Sequence, residues 1–137
     1  RRSRSAAQTI IPNANASAAC IEQLLPRFAG RLSGCALNVP VQRGSLLDLN
    51  CVLREVANAE AINDVIRAAA AARPRMIAVA EDPIVSSDVI GCRQTLLFDA
   101  RGTQRAGSRM VKTLAWYETL GHACRVLDVV RTYAALA

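Results

Sequence analysis

Aromatic side chains make up only 4% of this 137-residue chain, and histidine occurs once. So few rings, dispersed as Phe28, Phe98, Trp116, Tyr117 and Tyr133, cannot form the stacking platforms of a single-strand nucleic-acid binder. One histidine, with no Asp or Glu at ligand spacing, excludes a His-based metal centre. No apolar run approaches the ~20 residues of a membrane-spanning helix, and no apolar stretch with a cleavage site follows the arginine-rich start. The five cysteines, Cys20, Cys35, Cys51, Cys92 and Cys124, include no C-x-x-C pair. That excludes a zinc knuckle, and the odd count argues against a disulfide framework; buried, reduced thiols are expected. Neither G-x-G-x-x-G nor G-x-x-x-x-G-K-S/T occurs, so no dinucleotide or nucleotide phosphate loop lies in these residues.

What is present is aliphatic and basic. Hydrophobic residues make up 52%, so a core of Ala, Val, Leu and Ile is within reach of one domain of this size. The net charge is +6. Arg1, Arg2 and Arg4 cluster at the start and the other cations are scattered. This fits an anionic small molecule such as a phosphate-bearing metabolite better than a nucleic acid. The chain begins at Arg rather than Met and is expected to be part of something longer.

Periodicity predicts the elements. Residues 1–15 are expected to form an opening loop, with an extended piece at Thr9 to Ile11 stopped by Pro12. Ile21, Leu24, Leu25 and Phe28 mark a helix face, capped by Ser17 or Asn15 and broken by Pro26. Cys35 to Val41 is a strand. Leu47, Leu49, Cys51 and Leu53 alternate with polar residues, predicting a strand with one dry face. Asn58 should cap a helix whose stripe is Ile62, Val65, Ile66 and Ala69, closed by Pro74. Met76 to Ala80 and Ile84 to Val85 predict short strands. Gln94 to Asp99 and Arg109 to Tyr117 should be strands joined by a turn at Gly102 to Gly107. The last helix should start near Gly121 with Ala123, Val126, Leu127, Val130 and Ala134 on one face. The expectation is an α+β fold: a mostly antiparallel or mixed sheet, helices on one face, and a C-terminal helix.

Two side-chain sets invite a catalytic reading. His122 and Cys124 could suggest a nucleophile pair, but residues two apart on a helix point in different directions. Glu81, Asp82 and Asp88 could suggest acid–base work, yet nothing in the sequence opposes them, and loop or cap roles are expected.

Five ordered segments carry a family resemblance. They are R-R-S-R-S-A-A-Q-T-I-I-P at Arg1 to Pro12, S-L-L-D-L at Ser45 to Leu49, V-S-S-D-V-I-G at Val85 to Gly91, M-V-K-T-L-A-W-Y at Met110 to Tyr117, and C-R-V-L-D at Cys124 to Asp128. Together they resemble the C-terminal catalytic domain of the glyceraldehyde-3-phosphate dehydrogenases, a family that includes erythrose-4-phosphate dehydrogenases, with residues 1–137 as that domain. The resemblance implies a parent enzyme in which a cysteine thiolate attacks an aldehyde, a histidine acts as base, NAD takes the hydride and inorganic phosphate releases the acyl group. It implies that the nucleophile, the base and the Rossmann domain that makes most NAD contacts all precede Arg1. This piece by itself would therefore not be catalytically competent. It further implies a sugar-phosphate substrate, a cytoplasmic homo-oligomer, and neither nucleic-acid nor membrane partners.

Site positions carry over one at a time. Arg1 matches a phosphate-holding arginine. Asn15 and Ala16 replace the family's Thr-Gly pair, which donates to phosphate. Asn38 replaces a second phosphate-binding arginine, with Arg43 a nearby cation that could compensate. Thr119 replaces the asparagine that orients the nicotinamide amide, and the alignment there needs a one-residue deletion between Thr119 and Leu120. The changes at Asn15, Ala16, Asn38 and Thr119 imply a different aldehyde or a non-catalytic assembly module on the same fold. The resemblance also implies that the last helix docks on the NAD domain, so in this piece it is expected to be displaced or swapped onto a partner.

Overall fold

In a computed structural model the structure describes residues 4–136, which form two compact units divided between Gln42 and Arg43. Arg1, the first of the carried-over positions, lies outside the described residues.

The first unit is a two-stranded antiparallel ribbon with a short helix. Strand β1 (Ile11–Ala14) pairs with β2 (Cys35–Asn38). Pro12 lies inside β1 rather than ending an earlier strand. In a two-stranded ribbon every strand has a free edge, where a residue without an N–H is tolerated. Helix α1 (Ser17–Leu24) ends where Pro26 opens a separate 3₁₀ turn, Pro26–Phe28, as the proline predicts. Glu22 closes the unit by accepting from the Gly30 N–H at 3.0 Å.

The second unit holds a four-stranded mixed sheet in the order β3 (Ser45–Val52), β6 (Met110–Tyr117), β5 (Leu96–Ala106), β4 (Ile77–Ala80). The β3–β6 and β5–β6 pairs are antiparallel, as expected, but β4 runs parallel to β5. Helix α2 (Ala59–Ala72) packs on β4 and β5. Asn58 caps it, its Oδ1 accepting from the Ala61 N–H at 2.7 Å. Its inward face is displaced from the predicted stripe. Val65 is 68% exposed, whereas Asn63 is buried.

The reason for that displacement is a large bulge in β5. Asp99 pairs with Leu114 and Gln104 with Lys112, so five steps along β5 match two along β6. The predicted turn at Gly102 to Gly107 is thus strand over most of its length, and the chain reverses at Gly107, φ 62°. Bulged backbone loses ladder partners and needs others. Side chains supply them. Asp99 Oδ1 accepts from the N–H groups of Arg101 (3.1 Å) and Gly102 (3.0 Å), and Asp99 Oδ2 accepts from Trp116 Nε1 at 3.2 Å. Asn63 Nδ2 donates to the Ala100 carbonyl at 3.0 Å, while its Oδ1 accepts from the Thr103 hydroxyl at 2.7 Å. Gly102 is required here because a Cβ would stand 2.8 Å from that of Leu114.

Other expectations also need correction. Ile84 and Val85 form no strand; they lead into the 3₁₀ turn Ser86–Val89, whose Val89 is fully buried. The leucines of β3 are not on a dry face: Leu46, on the opposite face, is 45% exposed, and Leu47 and Leu49 are each 44% exposed. No cysteine is buried: Cys20 and Cys35 are exposed and the other three half-buried, all five free. Helix α3 spans Thr119–Ala134, starting earlier than predicted. It stays on its own unit rather than being displaced. Its polar side is docked on its own unit: Arg125 donates to the Arg75 carbonyl and Asp128 pairs with Arg75 and Arg125. Val126, Leu127 and Val130 consequently face outward, each about half exposed.

Replacing Asp99 with Ala should strand three N–H donors and destabilise the protein by about 3 kcal/mol. Urea unfolding checks this, with Asp99→Asn, which keeps one acceptor oxygen, expected to fall between the two.

Candidate functional site

The carried-over positions divide between the units. In the first, Asn15 directly follows β1 and its Oδ1 accepts from the Ser17 N–H at 2.7 Å, while the N-cap position itself is Ala16 and neither suggested residue caps it. With the carbonyl oxygen thus engaged, the side-chain NH₂ of Asn15 is the group that could donate to an anion. Ala16 occupies the N-cap position of α1 with φ −85° and ψ −2°, a conformation any L-residue adopts. Alanine is therefore accommodated there without strain.

Asn38 ends β2, exposed and opposite Ile11, whereas Ala14, next to Asn15, is opposite Cys35. Three residues of strand rise separate those levels by about 10 Å. The ribbon therefore holds Asn15 and Asn38 towards opposite ends, and two short amides so placed do not grip one phosphate together. What they present is two separate neutral donors.

Thr119 belongs to the second unit and is the first residue of α3, exposed. Its backbone is anchored on both sides. Glu118 precedes it and its carboxylate accepts from the Gly91 N–H at 3.3 Å. Gly121 follows, packed so closely that a Cβ would lie 2.1 Å from the Gln94 carbonyl oxygen. The sequence reading missed both anchors. A glycine two residues into the helical pattern was the available signal, since glycine within a helix usually has a packing reason.

Two members of the acidic set make structural contacts. Asp88 Oδ2 accepts from the Val85 N–H at 2.8 Å, fastening the 3₁₀ turn of the V-S-S-D-V-I-G run. Glu81 pairs with Arg67 at 2.8 Å, and its backbone carbonyl accepts from Arg101 Nε at 2.7 Å. Arg67 also meets Glu60 and Asp64, so one guanidinium joins α2 to the bulge region. His122 is exposed and Cys124 half-buried on α3. Gly44, φ 81°, fits directly against Ser86, where a Cβ would lie 2.5 Å from its carbonyl oxygen. The V-S-S-D-V-I-G run is thus an anchoring element, held by Val89, Asp88 and Gly44. No group of three metal-ligating side chains exists among the described residues, and no helix there is long and apolar enough to cross a membrane.

The fold and these positions describe an α+β domain that offers polar contacts at a ribbon and at a helix start, with the phosphate-loop motifs absent from its sequence. Sequence comparison defines the class further: residues 1–119 match the model of the glyceraldehyde 3-phosphate dehydrogenase C-terminal domain. The chain belongs to that family. It is 39% identical over 141 residues to glyceraldehyde-3-phosphate dehydrogenase of Clostridium acetobutylicum, covering 100% of this chain and 41% of the relative. Glyceraldehyde-3-phosphate dehydrogenase 2 of Bacillus subtilis is 36% identical over 137 residues (98% and 40%), and the Schistosoma mansoni enzyme 34% over 132 (95% and 39%). The chain spans about two fifths of the length of these curated relatives.

The hydrogen bonds from Arg67 hold the Glu81 carboxyl below its usual range. A carboxyl lowered on folding stabilises above its unfolded pKa, and that contribution is lost as pH falls through the folded value. Because the pair is solvent-exposed, the loss should be small. Glu81→Gln should flatten the acid limb of a stability–pH curve between pH 5 and 3 slightly, and 1 M salt should reduce the difference.

Proposed function

We propose that the chain is the substrate-side domain of an NAD-dependent, phosphorylating aldehyde dehydrogenase that acts on a sugar-phosphate aldehyde. The observation that carries this is the family match over residues 1–119. In this reading the catalytic cysteine, the histidine base and most NAD contacts belong to a preceding portion of the protein. NAD bound there would supply the hydride acceptor.

The residues of this chain fit a binding role. The Asn15 amide and Asn38 would donate to anionic oxygens at two separate points, and Arg1 and Arg43 would supply positive charge. The exposed Thr119 hydroxyl, able both to donate and to accept, suits the carboxamide of a nicotinamide. Two neutral amides bind a phosphate more weakly than a guanidinium fork, since charge-assisted bonds are roughly twice as strong. The substrate would accordingly be a phosphorylated aldehyde whose recognition leans less on charge at Asn38. The exposed leucines of β3 support a homo-oligomer, and a cytoplasmic location follows from the same reading.

A second reading, a non-catalytic assembly module on the same fold, is favoured by the changes at Ala16, Asn38 and Thr119. One experiment separates the two. The full-length protein, given glyceraldehyde 3-phosphate, inorganic phosphate and NAD, should produce NADH at a rate that depends on phosphate. A purified, folded full-length protein with no such turnover on triose or tetrose phosphate aldehydes would favour the assembly module.

Restoring the charge should strengthen substrate binding. Asn38→Arg in the full-length protein should lower the KM for glyceraldehyde 3-phosphate about tenfold, worth about 1.4 kcal/mol, with kcat changed less. Sedimentation velocity at micromolar concentration should show an oligomer, and Leu47→Lys with Leu49→Lys should shift it toward monomer.

A further inference from the structure

The geometry points to Glu118 as a positioning residue for the dinucleotide contact at Thr119, a role that rests on the functional reading above. Glu118 occupies the N-cap position of α3, yet its side chain caps none of the helix N–H groups. Instead its carboxylate reaches across to the Gly91 N–H, 27 residues back in the chain, at 3.3 Å. Gly91 has φ 86°, a conformation that L side chains rarely adopt. It closes the V-S-S-D-V-I-G run, whose Val89 is fully buried and whose Ser86 abuts Gly44. The tether therefore ends on one of the most firmly held loops of the unit.

On the other side of Thr119, Gly121 lies flush against the Gln94 carbonyl oxygen. A steric stop at Gly121 limits how closely the helix start approaches residues 94–95, but it does not prevent the first turn from lifting away. The Glu118 tether does. Helix ends fray because their first N–H groups lack intrahelical partners, and the Glu118 side chain leaves this one uncapped. Thr119 is thus held at a defined point by a stop and a strap, and the strap is Glu118.

The length of the strap matters. At 3.3 Å the bond is already slightly longer than the usual N–H···O range. Aspartate, shorter by one carbon–carbon bond of about 1.5 Å, would fall out of range, whereas glutamine keeps an acceptor oxygen at the same reach.

The test uses the full-length protein with NAD and glyceraldehyde 3-phosphate. Glu118→Ala should raise the KM for NAD about fivefold while kcat falls less than twofold. Glu118→Gln should return to within about twofold of the parent, and Glu118→Asp should behave like Ala. Asn58→Ala, which removes the α2 cap, should lower stability and leave the KM for NAD unchanged, separating positioning from general destabilisation. Hydrogen exchange over residues 89–95 supplies a readout that needs no turnover: protection should fall in Glu118→Ala and persist in Glu118→Gln. Unchanged KM and exchange in Glu118→Ala, or a Gln variant as impaired as Ala, would overturn the strap. A parent protein without NAD-dependent turnover, but with the exchange pattern intact, would overturn the dinucleotide reading and leave the tether standing.

Discussion

Everything in the larger unit depends on how the bulge in β5 is satisfied. Between Asp99 and Gln104 the strand carries more residues than its partner can pair. In a buried setting each orphaned N–H or C=O costs roughly 1–3 kcal/mol. Asp99 accepts the two N–H groups that need a partner and takes the Trp116 indole as well. Asn63 takes the Ala100 carbonyl from the helix side. A bulge normally weakens a sheet. This one fastens it, because the same hydrogen bonds tie β5 to β6 through Trp116 and to α2 through Asn63. The register of α2 follows: its inward face must include Asn63, so Val65 turns to solvent.

The same strand sets where the candidate site can be. β5 begins just after residues 94–95, against which Gly121 is packed, and that contact fixes the start of α3. Polar docking by Arg125 and Asp128 then orients the remainder of the helix. Because that polar side is the one turned inward, the apolar stripe of Val126, Leu127 and Val130 faces outward and contributes little to this unit. An exposed aliphatic stripe on α3 and half-exposed leucines on edge strand β3 are the kind of surface that proteins seldom leave uncovered.

How legible this was varies with the physics involved. Local signals were reliable: Pro26 ending α1 and Asn58 capping α2 act within a few residues and appear as predicted. The five ordered motifs identified the family correctly, and four of them mark structural parts. V-S-S-D-V-I-G is an anchored turn, S-L-L-D-L and M-V-K-T-L-A-W-Y are paired strands, and C-R-V-L-D supplies Arg125 and Asp128, which dock α3. Non-local features were illegible. Gly102 resembles a turn glycine until Leu114 is placed against it, and a cysteine's burial cannot be told from its neighbours in sequence. Separation of Asn15 and Asn38 was equally hidden, because it depends on which residues pair across the ribbon.

The amino-acid sequence by itself determined the family, most of the helices and strands, and the residue type at each candidate position, including a neutral amide at Asn38. Those are properties of residue type and short-range spacing, which the chain carries before it folds. Tertiary structure alone decided that β4 would run parallel to β5, that the V-S-S-D-V-I-G run would serve as an anchor for the start of α3, and that Thr119 would stand between Glu118 and Gly121. The reason is that these depend on satisfying backbone groups at one point with side chains from distant points. Only closure of the fold brings Asp99 to Trp116, Asn63 to Ala100 and Glu118 to Gly91.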